Sequence, residues 1–329
     1  MHTHVVPEKF PAYAGKLANV RWPSMVDAQP CHRHVMLSGK VYRTVSNQCW
    51  DVAVRGADMD QVSTGHQVLS PMPELLAYWL NAEDGRSLAA FVNETIATMV
   101  AADPERFSGL GSVPLQDVDA GIAELERAVE EFGLAGVEIG SNIEGVPIGD
   151  PKFLPFFEAV RDLGVCVFVH AMRPAGIDRL VGPPFLEQTV AFPGEIGLSA
   201  MSLITSGTLS KLPGLRVAFS HGGGSIGVLV PRLLHAWTHM SSVKEAIPTS
   251  PLEQARTLFF DDLLYDARAI RALIDLVGQT QVMVGTDYPF AIMDRDPGKR
   301  LDSLDVGDET RALLSFRNAM RWLGRPESN

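Results

Sequence analysis

Short apolar runs alternate with longer amphipathic segments along most of the chain. The runs are rich in β-branched and aromatic residues and are bounded by glycine, proline or polar residues, which is typical of strands. Several are continuously apolar, as in Val-Cys-Val-Phe-Val at 165–169, and strands that are buried on both faces have this pattern. The pattern predicts strands over residues 67–70, 107–113, 134–139, 165–170, 215–221, 257–261 and 281–287.

The segments between these strands carry apolar residues at helical spacing. In one of them, Leu125, Val129 and Phe132 fall on a single helical face. Another begins with Pro151 and ends before Gly164, positions that favour these two residues at helix ends. Helices are predicted over residues 87–102, 117–132, 151–163, 193–209, 226–239, 266–277 and 309–323.

Regular alternation of strands and helices predicts an α/β fold with a parallel sheet. A first strand that ends at His4 brings the count of strands to eight, which favours a (β/α)8 TIM barrel of about 250 residues. A doubly wound open sheet is the alternative, but no Gly-x-Gly-x-x-Gly turn follows a first strand. No linker or repeat divides the chain, so we expect one barrel domain over residues 1–329.

The early part of the chain is irregular and interrupted by prolines. Residues 11–48 are therefore predicted to form a small insertion or lid after the first strand, with one strand at 40–45. The Cys-His-Arg-His segment at 31–34 lies inside it, away from any recognisable strand. For this segment we expect a solvated or lid role rather than a metal site.

Composition and charge narrow the function classes. Hydrophobic residues make up 46% of the chain, and 28 basic against 39 acidic residues give a net charge of −11. Such a charge disfavours nucleic acids and anionic membranes as partners. We expect neither a membrane-spanning segment nor a signal peptide, and three irregularly spaced cysteines indicate reduced thiols in the cytoplasm.

Metal-ligand types of residue recur at the predicted strand ends. They are His2, His4, His170, His221 and Asp287. Barrel enzymes carry their functional residues at the carboxyl ends of strands, and imidazole and carboxylate are the ligands that zinc and similar ions prefer. Histidines two apart on a strand share one face. Three histidines with the aspartate are predicted to hold one divalent metal, and the fourth histidine to act as general acid or base.

Several motifs together resemble one known family. They are His-Thr-His at 2–4, Gly-Lys-Val-Tyr-Arg at 39–43, Phe-Val-His at 168–170, Ser-His-Gly-Gly-Gly at 220–224 and Gly-Thr-Asp-Tyr-Pro-Phe at 285–290. The chain resembles the decarboxylase branch of the amidohydrolase superfamily, and most closely the 2-amino-3-carboxymuconate-6-semialdehyde decarboxylase family. The likeness extends over nearly the whole chain.

The resemblance implies a set of site residues. One divalent metal, zinc first with manganese as the alternative, would be held by His2, His4, His170 and Asp287. His221 would be the catalytic acid or base that activates metal-bound water, and Asp287 would also take part in proton transfer.

The resemblance also implies how a small anionic substrate is bound. Arg43 and Arg232 would hold a carboxylate, with Arg232 reaching the active site of a neighbouring subunit in a homodimer or higher homo-oligomer. A guanidinium matches a carboxylate well, and an anion needs local positive charge on an acidic protein. Phe290 and Phe185, the latter where the family has a tryptophan, would also contact the substrate.

The chain departs from the family beside the predicted metal. Arg173 stands in a segment where the family has Pro-Trp-Asp-Met, and Glu138 stands where glutamine is common. A carboxylate at Glu138 would disfavour an anion nearby unless it pairs with Arg173. These departures leave the metal chemistry intact and concern the substrate.

The implied function is non-oxidative decarboxylation of a carboxylated muconate semialdehyde or a related unsaturated or aromatic acid. The alternative is an amidohydrolase-type hydrolase of a C–N or lactone bond in aromatic-compound breakdown, with Glu138 bridging two metals. A catalytically silent metal-binding barrel is a third interpretation, against which the base at His221 argues.

Overall fold

A computed structural model describes residues 1–327 of the chain, which fall into two compact units. The first unit comprises His2–Val137 and Thr286–Asp296. The second comprises Met1, Glu138–Gly285 and the described chain from Pro297 onward. The change from one unit to the other at Val137 falls inside a strand, so the same sheet contributes strands to both.

The first unit contains parallel strands, a small antiparallel sheet and three helices. The antiparallel sheet has three strands that follow one another in the chain, over residues 24–27, 32–37 and 40–46, and the last two are joined by a tight turn. The strands are β1 (Thr3–Val5), β2 (Ser24–Asp27), β3 (His32–Leu37), β4 (Lys40–Ser46), β5 (Gln67–Pro71), β6 (Phe107–Ser112) and the start of β7 (Gly136–Gly140), and the helices are α1 (Val52–Gln61), α2 (Ala82–Ala102) and α3 (Val118–Glu130).

The second unit contains the remaining parallel strands, a short hairpin and most of the helices. The hairpin is formed by β8 (Asn142–Ile143) and β9 (Val146–Pro147), and the parallel strands are β10 (Cys166–His170), β11 (Arg216–Phe219), β12 (Phe259–Asp261) and β13 (Val282–Met283). The helices are α4 (Leu154–Asp162), α5 (Phe192–Thr205), α6 (Thr208–Lys211), α7 (Ile226–His239), α8 (Ser241–Ala246), α9 (Pro251–Ala255), α10 (Ala267–Val277), α11 (Pro297–Asp302), α12 (Asp308–Ala312) and α13 (Asn318–Leu323).

Eight of the strands form one parallel sheet, in the order β1-β5-β6-β7-β10-β11-β12-β13. Strands therefore succeed one another in chain order, and each consecutive pair is linked by a segment that contains a helix. Within the first unit, the chain that follows β13 pairs with β1, where Thr3 forms a parallel bridge to Tyr288. This is an α/β fold consistent with a TIM barrel, as predicted.

Capping and burial explain why the helices form where they do. Asp51, Asp117 and Asp266 each stand at an N-cap and accept hydrogen bonds from main-chain N–H groups of the first turn. In α3, Leu125 of the predicted face is fully buried together with Ala128, whereas the predicted Val129 is only partly buried. No helix among the described residues is both long and apolar enough to cross a bilayer.

Some element bounds differ from the prediction. The strand predicted over 281–287 ends at Met283, and the one predicted over 215–221 ends at Phe219. The helix predicted over 193–209 is interrupted at Gly207, whose φ of +75° is incompatible with a continuing helix. The helix predicted over 309–323 is divided by a π-helical segment at Leu313–Arg317.

The early segment is more regular than predicted. Helix α1 and strands β2 and β3 are not among the predicted elements, and His32 and His34 lie on β3 rather than off any strand. The ring of His34 is 2.9 Å from the Thr44 hydroxyl and that of His32 is 3.0 Å from the Pro30 carbonyl oxygen. Neither belongs to the His/Asp group found among the described residues.

Candidate metal centre

Strand β1 presents two buried imidazoles on one face. His2 and His4 are both fully buried, and their Nε2 atoms lie 3.1 Å apart. The Nδ1 atom of His4 lies 3.2 Å from the carbonyl oxygen of Pro71. Because a carbonyl only accepts, Nδ1 carries the proton, and a neutral His4 presents the lone pair of Nε2. A hydrogen bond of this kind commonly fixes the tautomer of a metal-binding histidine.

The turn that follows β13 places Asp287 next to His2 and His4 in the first unit. The main-chain N–H groups of Thr286 and Asp287 donate to the carbonyl oxygen of His2, at 3.2 and 2.9 Å. Asp287 has a φ of +61°. Its Oδ1 atom lies 3.0 Å from Nε2 of His4 and 3.8 Å from Nε2 of His2. The aspartate thus reaches the histidines from a strained turn and not from a strand end as predicted.

These three side chains fit a divalent cation. Their ligand atoms all lie within 4.8 Å of one another, and the side chains are buried. The carboxylate oxygen of Asp287 and the Nε2 atom of His4 lie 3.0 Å apart, so both can turn towards one cation. Two imidazole nitrogens and one carboxylate are a donor set suited to zinc, manganese and similar ions.

An aromatic ring and an arginine lie beside this group. The ring of Phe290 stacks on the ring of His4, with centroids 4.9 Å apart and an interplanar angle of 20°. The guanidinium carbon of Arg43 lies 4.3 Å from the centroid of the same Phe290 ring. Arg43, Phe290 and His4 therefore form one stack, which places a fixed positive charge near the candidate ligands.

The buried residue Arg55 was not predicted to have a role. It donates to the carbonyl oxygen of His4 and, at 3.2 Å, to Oε1 of Gln67. Its guanidinium lies 5.0 Å from the ring centroid of Tyr288, whose hydroxyl donates to Asp58 at 2.7 Å. An arginine on an otherwise amphipathic helix gives no signal of this role, since most such side chains are exposed.

In the second unit, two further predicted histidines are neighbours. His170 ends β10, His221 follows β11, and both are buried. Their ring centroids lie 5.1 Å apart in an edge-on arrangement, and Phe192 packs against both rings. His170 Nδ1 lies 3.0 Å from the carbonyl oxygen of Ala171, so in the neutral ring the lone pair is on Nε2, as in His4.

The turn that carries His221 is held by Asp261, which sequence reasoning also missed. The carboxylate of Asp261 accepts from the main-chain N–H groups of His221 at 3.1 Å and Gly222 at 2.7 Å. His221 has a φ of +54° and its Nδ1 lies 2.9 Å from the Ser220 hydroxyl. At Gly224, where φ is +57°, a Cβ atom would overlap the carbonyl oxygen of Pro193, so this position requires glycine.

The other predicted substrate residues lie at the surface of the second unit. Arg173 has a φ of +40° and its guanidinium is 3.5 Å from the carboxylate of Glu144. Phe185 is 71% exposed, and Arg232 is exposed on α7. Glu138 is fully buried in β7.

Of the predicted site residues, His2, His4 and Asp287 meet in one unit with Arg43 and Phe290 beside them, and His170 meets His221 in the other.

Comparison with known proteins places the chain in a family. The amidohydrolase family model matches residues 1–325. A 2-amino-3-carboxymuconate-6-semialdehyde decarboxylase from Dictyostelium discoideum is 35% identical over 327 residues, which cover 98% of this chain and 90% of that protein.

Solved structures are similar over most of the chain. The crystal structure of 5-carboxyvanillate decarboxylase from Sphingomonas paucimobilis superposes with a TM-score of 0.77 and 26% identity, covering 85% of each chain. A dihydroxybenzoic acid decarboxylase from Polaromonas sp. JS666, with bound manganese and an inhibitor, has the same fold, with a TM-score of 0.75, 22% identity and coverage of 85% of this chain and 89% of that one. The chain therefore belongs to the amidohydrolase family, and the three relatives named above are decarboxylases.

Proposed function

We propose that this protein is a metal-dependent, non-oxidative decarboxylase of a small carboxylated muconate semialdehyde or a related unsaturated or aromatic acid. The observation that carries the proposal is the convergence of His2, His4 and Asp287, whose buried donor atoms lie close enough together to bind one cation. The names of the relatives support the reaction class, since both the similar curated protein and the similar crystal structures are decarboxylases.

The metal would be held by His2, His4 and Asp287, with His170 as the proposed fourth ligand. His170 is supported by its tautomer, which leaves Nε2 as the ligand atom, and by its place at the carboxyl end of a parallel strand. Zinc is our first choice and manganese the alternative. When bound, a divalent metal supplies a Lewis acid that stabilises negative charge on oxygen.

His221 is the proposed proton donor and acceptor. Decarboxylation breaks the bond between a carbon and its carboxylate, CO2 leaves, and the electron pair that remains on the carbon takes up a proton. His221 is suited to deliver that proton because imidazole exchanges protons near neutral pH and because Asp261 and Ser220 fix its main chain and ring. Asp287 is proposed as a second participant in proton transfer.

Arginines would orient the substrate. Arg43, stacked on Phe290, offers two parallel N–H donors to a carboxylate that is retained in the product. Arg232 is proposed to serve the site of a neighbouring subunit, as its exposure on α7 allows, in a homodimer or higher oligomer. Arg173 and Phe185 are proposed to contact the substrate from their loops. A cytoplasmic location is also proposed. The three described cysteines form no disulfide, which is compatible with that location.

The test is release of CO2 from carboxyl-labelled substrates by enzyme reconstituted with Zn²⁺ or Mn²⁺. The panel contains carboxymuconate semialdehydes and hydroxybenzoates, together with amides and lactones. We expect CO2 from at least one acid and hydrolysis of no amide or lactone. Cleavage of an amide or lactone without CO2 release from any acid would overturn the proposal in favour of a hydrolase.

The role of His221 has its own control. His221→Gln is expected to lower kcat by at least about 100-fold, in the range of general acid–base catalysis, while metal content per chain stays the same. His66→Gln removes another histidine and should leave kcat unchanged. The ring nitrogens of His66 lie within hydrogen-bond distance of the Glu105 carbonyl oxygen and the Ser108 hydroxyl. Normal turnover by His221→Gln would exclude the assigned role.

A further inference from the structure

We propose that Glu144 is a specificity-determining residue, which competes with a carboxylate of the substrate for the guanidinium group of Arg173. The guanidinium lies 3.5 Å from the carboxylate of Glu144, and the two side chains are 38% and 44% exposed. The inference rests on the proposed function, because it starts from an anionic substrate that contacts Arg173.

The ion pair lies beyond the carboxyl ends of two neighbouring strands. Arg173 belongs to the loop that follows β10 and comes three residues after His170. Glu144 stands in the turn between β8 and β9, the hairpin that follows β7. Strands β7 and β10 are adjacent in the parallel sheet. Barrel enzymes bind their substrates in the loops at this edge, so an arginine here is placed to receive a carboxylate.

The buried side chain of Asn142 connects the two segments that carry the pair. Its amide oxygen accepts from the main-chain N–H of Gly145 at 2.9 Å, and its amide nitrogen donates to the carbonyl oxygen of Met172 at 2.8 Å. Gly145 follows Glu144 in the hairpin turn, and Met172 precedes Arg173 in the loop. One side chain therefore fixes the main chain next to both members of the ion pair.

A second buried side chain, Glu195, holds the Arg173 loop on its other side. The Glu195 carboxylate accepts from the main-chain N–H of Ala175 at 2.9 Å and from the amide of Asn142 at 2.8 Å. The main chain on both sides of Arg173 is thus fixed by contacts that do not involve its guanidinium. The guanidinium can therefore exchange one carboxylate for another without a change in the fold.

Both members of the pair have an uncommon main-chain conformation. Glu144 has a φ of +50° and Arg173 a φ of +40°, in the left-handed region that disfavours residues other than glycine. An exposed ion pair contributes too little stability to offset two such residues. Residues that the surrounding structure holds in this region are concentrated at functional sites, which supports a role in binding.

The chemistry of the pair explains how it selects an anion. A substrate carboxylate can accept two parallel N–H bonds from a guanidinium, which is stronger than an exposed contact at 3.5 Å. To form these bonds it must displace Glu144, whose negative charge also repels it. Only a carboxylate that binds Arg173 better than Glu144 does gains from this exchange. Glu144 thus sets the affinity that an anion needs in order to bind here.

The experiment measures the affinity of the full-length, Mn²⁺-loaded protein for 5-hydroxyisophthalate, an aromatic dicarboxylate, by isothermal titration calorimetry. Glu144→Gln should tighten binding about threefold or more, because it removes the competitor. Arg173→Gln should weaken binding about tenfold or more, because it removes the charged donor. In the Arg173→Gln background, Glu144→Gln should change the Kd less than about twofold, since the competition no longer exists. Both positions are exposed, so the variants should keep the wild-type melting temperature.

Asp178→Asn is the matched control, because it removes one exposed carboxylate later in the same loop. In 0.15 M salt, where the Debye length is about 8 Å, it should leave the Kd within about twofold of the wild type. The proposal is overturned if the probe does not bind, if Glu144→Gln does not tighten binding, or if Arg173→Gln does not weaken it. It is also overturned if Glu144→Gln tightens binding equally in the Arg173→Gln background, or if Asp178→Asn tightens it as much.

The binding measurement requires no turnover, so it separates this inference from the proposed function. The expected pattern of affinities without CO2 release from any acid would overturn the decarboxylase and support the role of Glu144. Release of CO2 without this pattern would support the decarboxylase and overturn the role of Glu144.

Discussion

The guanidinium group of Arg55 donates a hydrogen bond to the main-chain carbonyl oxygen of His4. The same group faces the ring of Tyr288, the residue that follows Asp287. One fully buried side chain therefore contacts both segments of the first unit that carry candidate metal ligands. Burial lowers the pKa of Arg55, because removal from water disfavours the charged form, while Tyr288 and Asp58 act in the opposite direction.

Replacing Arg55 should weaken both the fold and the metal group. Arg55→Met leaves the carbonyl oxygen of His4 and the amide oxygen of Gln67 buried without this donor, so we expect a loss of about 3 kcal/mol in the free energy of unfolding. We also expect metal affinity to fall about tenfold or more, as is common for groups that orient ligands. Urea unfolding of the metal-free protein and competition with a chelator measure the two effects.

Arg106→Met is the matched control. Arg106 pairs with Asp60 at 2.8 Å on the surface of the same unit, so its loss should cost less than about 1 kcal/mol and leave metal affinity unchanged. Equal effects of the two substitutions on affinity would show that Arg55 has no positioning role.

Glycine should be required at position 224 and not at position 227. Gly224→Ala places a methyl group against the carbonyl oxygen of Pro193 at a φ of +57°, so we expect a loss of more than about 3 kcal/mol or failure to fold. Gly227 lies in α7, where a Cβ atom would meet no other described residue within 4 Å, and Gly227→Ala should stabilise by about 0.5–1 kcal/mol. Thermal unfolding of both variants tests the contrast, which a similar shift in both would contradict.

The buried pair of Arg300 and Asp262 should make one variant sensitive to pH. Arg300 donates to Asp262 through two nitrogens, at 2.6 and 3.2 Å. Burial raises the pKa of Asp262, and Arg300 opposes that rise. Arg300→Met removes the opposing charge and raises the pKa further. We expect a loss of about 3–5 kcal/mol at neutral pH.

The sign of the pH effect follows from the raised pKa. A carboxyl group whose pKa is higher in the folded state than its ordinary value near 4 stabilises the fold when protonated, and this contribution is lost as pH rises through the folded pKa. The deficit of Arg300→Met should therefore shrink as pH falls from 7 towards about 5, as measured by urea unfolding. Arg311→Met, which breaks an exposed pair with Asp302, should show a small deficit that is independent of pH over that range.

Removing the metal should lower the stability of the fold, and Asp287 should be needed for added metal to restore it. A cation that binds only the folded chain stabilises it, by about 2.7 kcal/mol when the free metal is 100-fold above its dissociation constant. Chelation should lower the melting temperature, and Zn²⁺ or Mn²⁺ should restore it. In Asp287→Asn, which removes the carboxylate near His4, the melting temperature should respond little to either step. A full metal response in this variant would exclude Asp287 as a ligand.

The sequence identifies the residue types of the site better than their positions on the fold. It predicts Asp287 at the end of a strand, but β13 stops at Met283, and the aspartate sits in a turn fixed by main-chain hydrogen bonds to His2. That contact joins residues near opposite ends of the chain. Hydrophobic periodicity reports local burial and contains no information about such a pairing.

The residues that support the site were missed for a related reason. Arg55 and Asp261 look like ordinary charged residues of a helix and a strand end. Their roles depend on acceptors and donors elsewhere, the carbonyl oxygen of His4 for Arg55 and the main-chain N–H groups of His221 and Gly222 for Asp261. A charged residue in a sequence is usually predicted to be exposed. Tertiary contacts that the sequence does not reveal determine which charged residues are buried.

The position of His2 and Asp287 near opposite ends of the chain has a consequence for biosynthesis. The ribosome produces His2 and His4 long before Asp287, because the strands β5 to β13 lie between them in the chain. A nascent chain that has not reached Asp287 can therefore offer an ion imidazoles but not this carboxylate, which arrives when the turn after β13 pairs with β1. We therefore expect the proposed metal to be retained only late in maturation, and a chain truncated before Thr286 should not retain it.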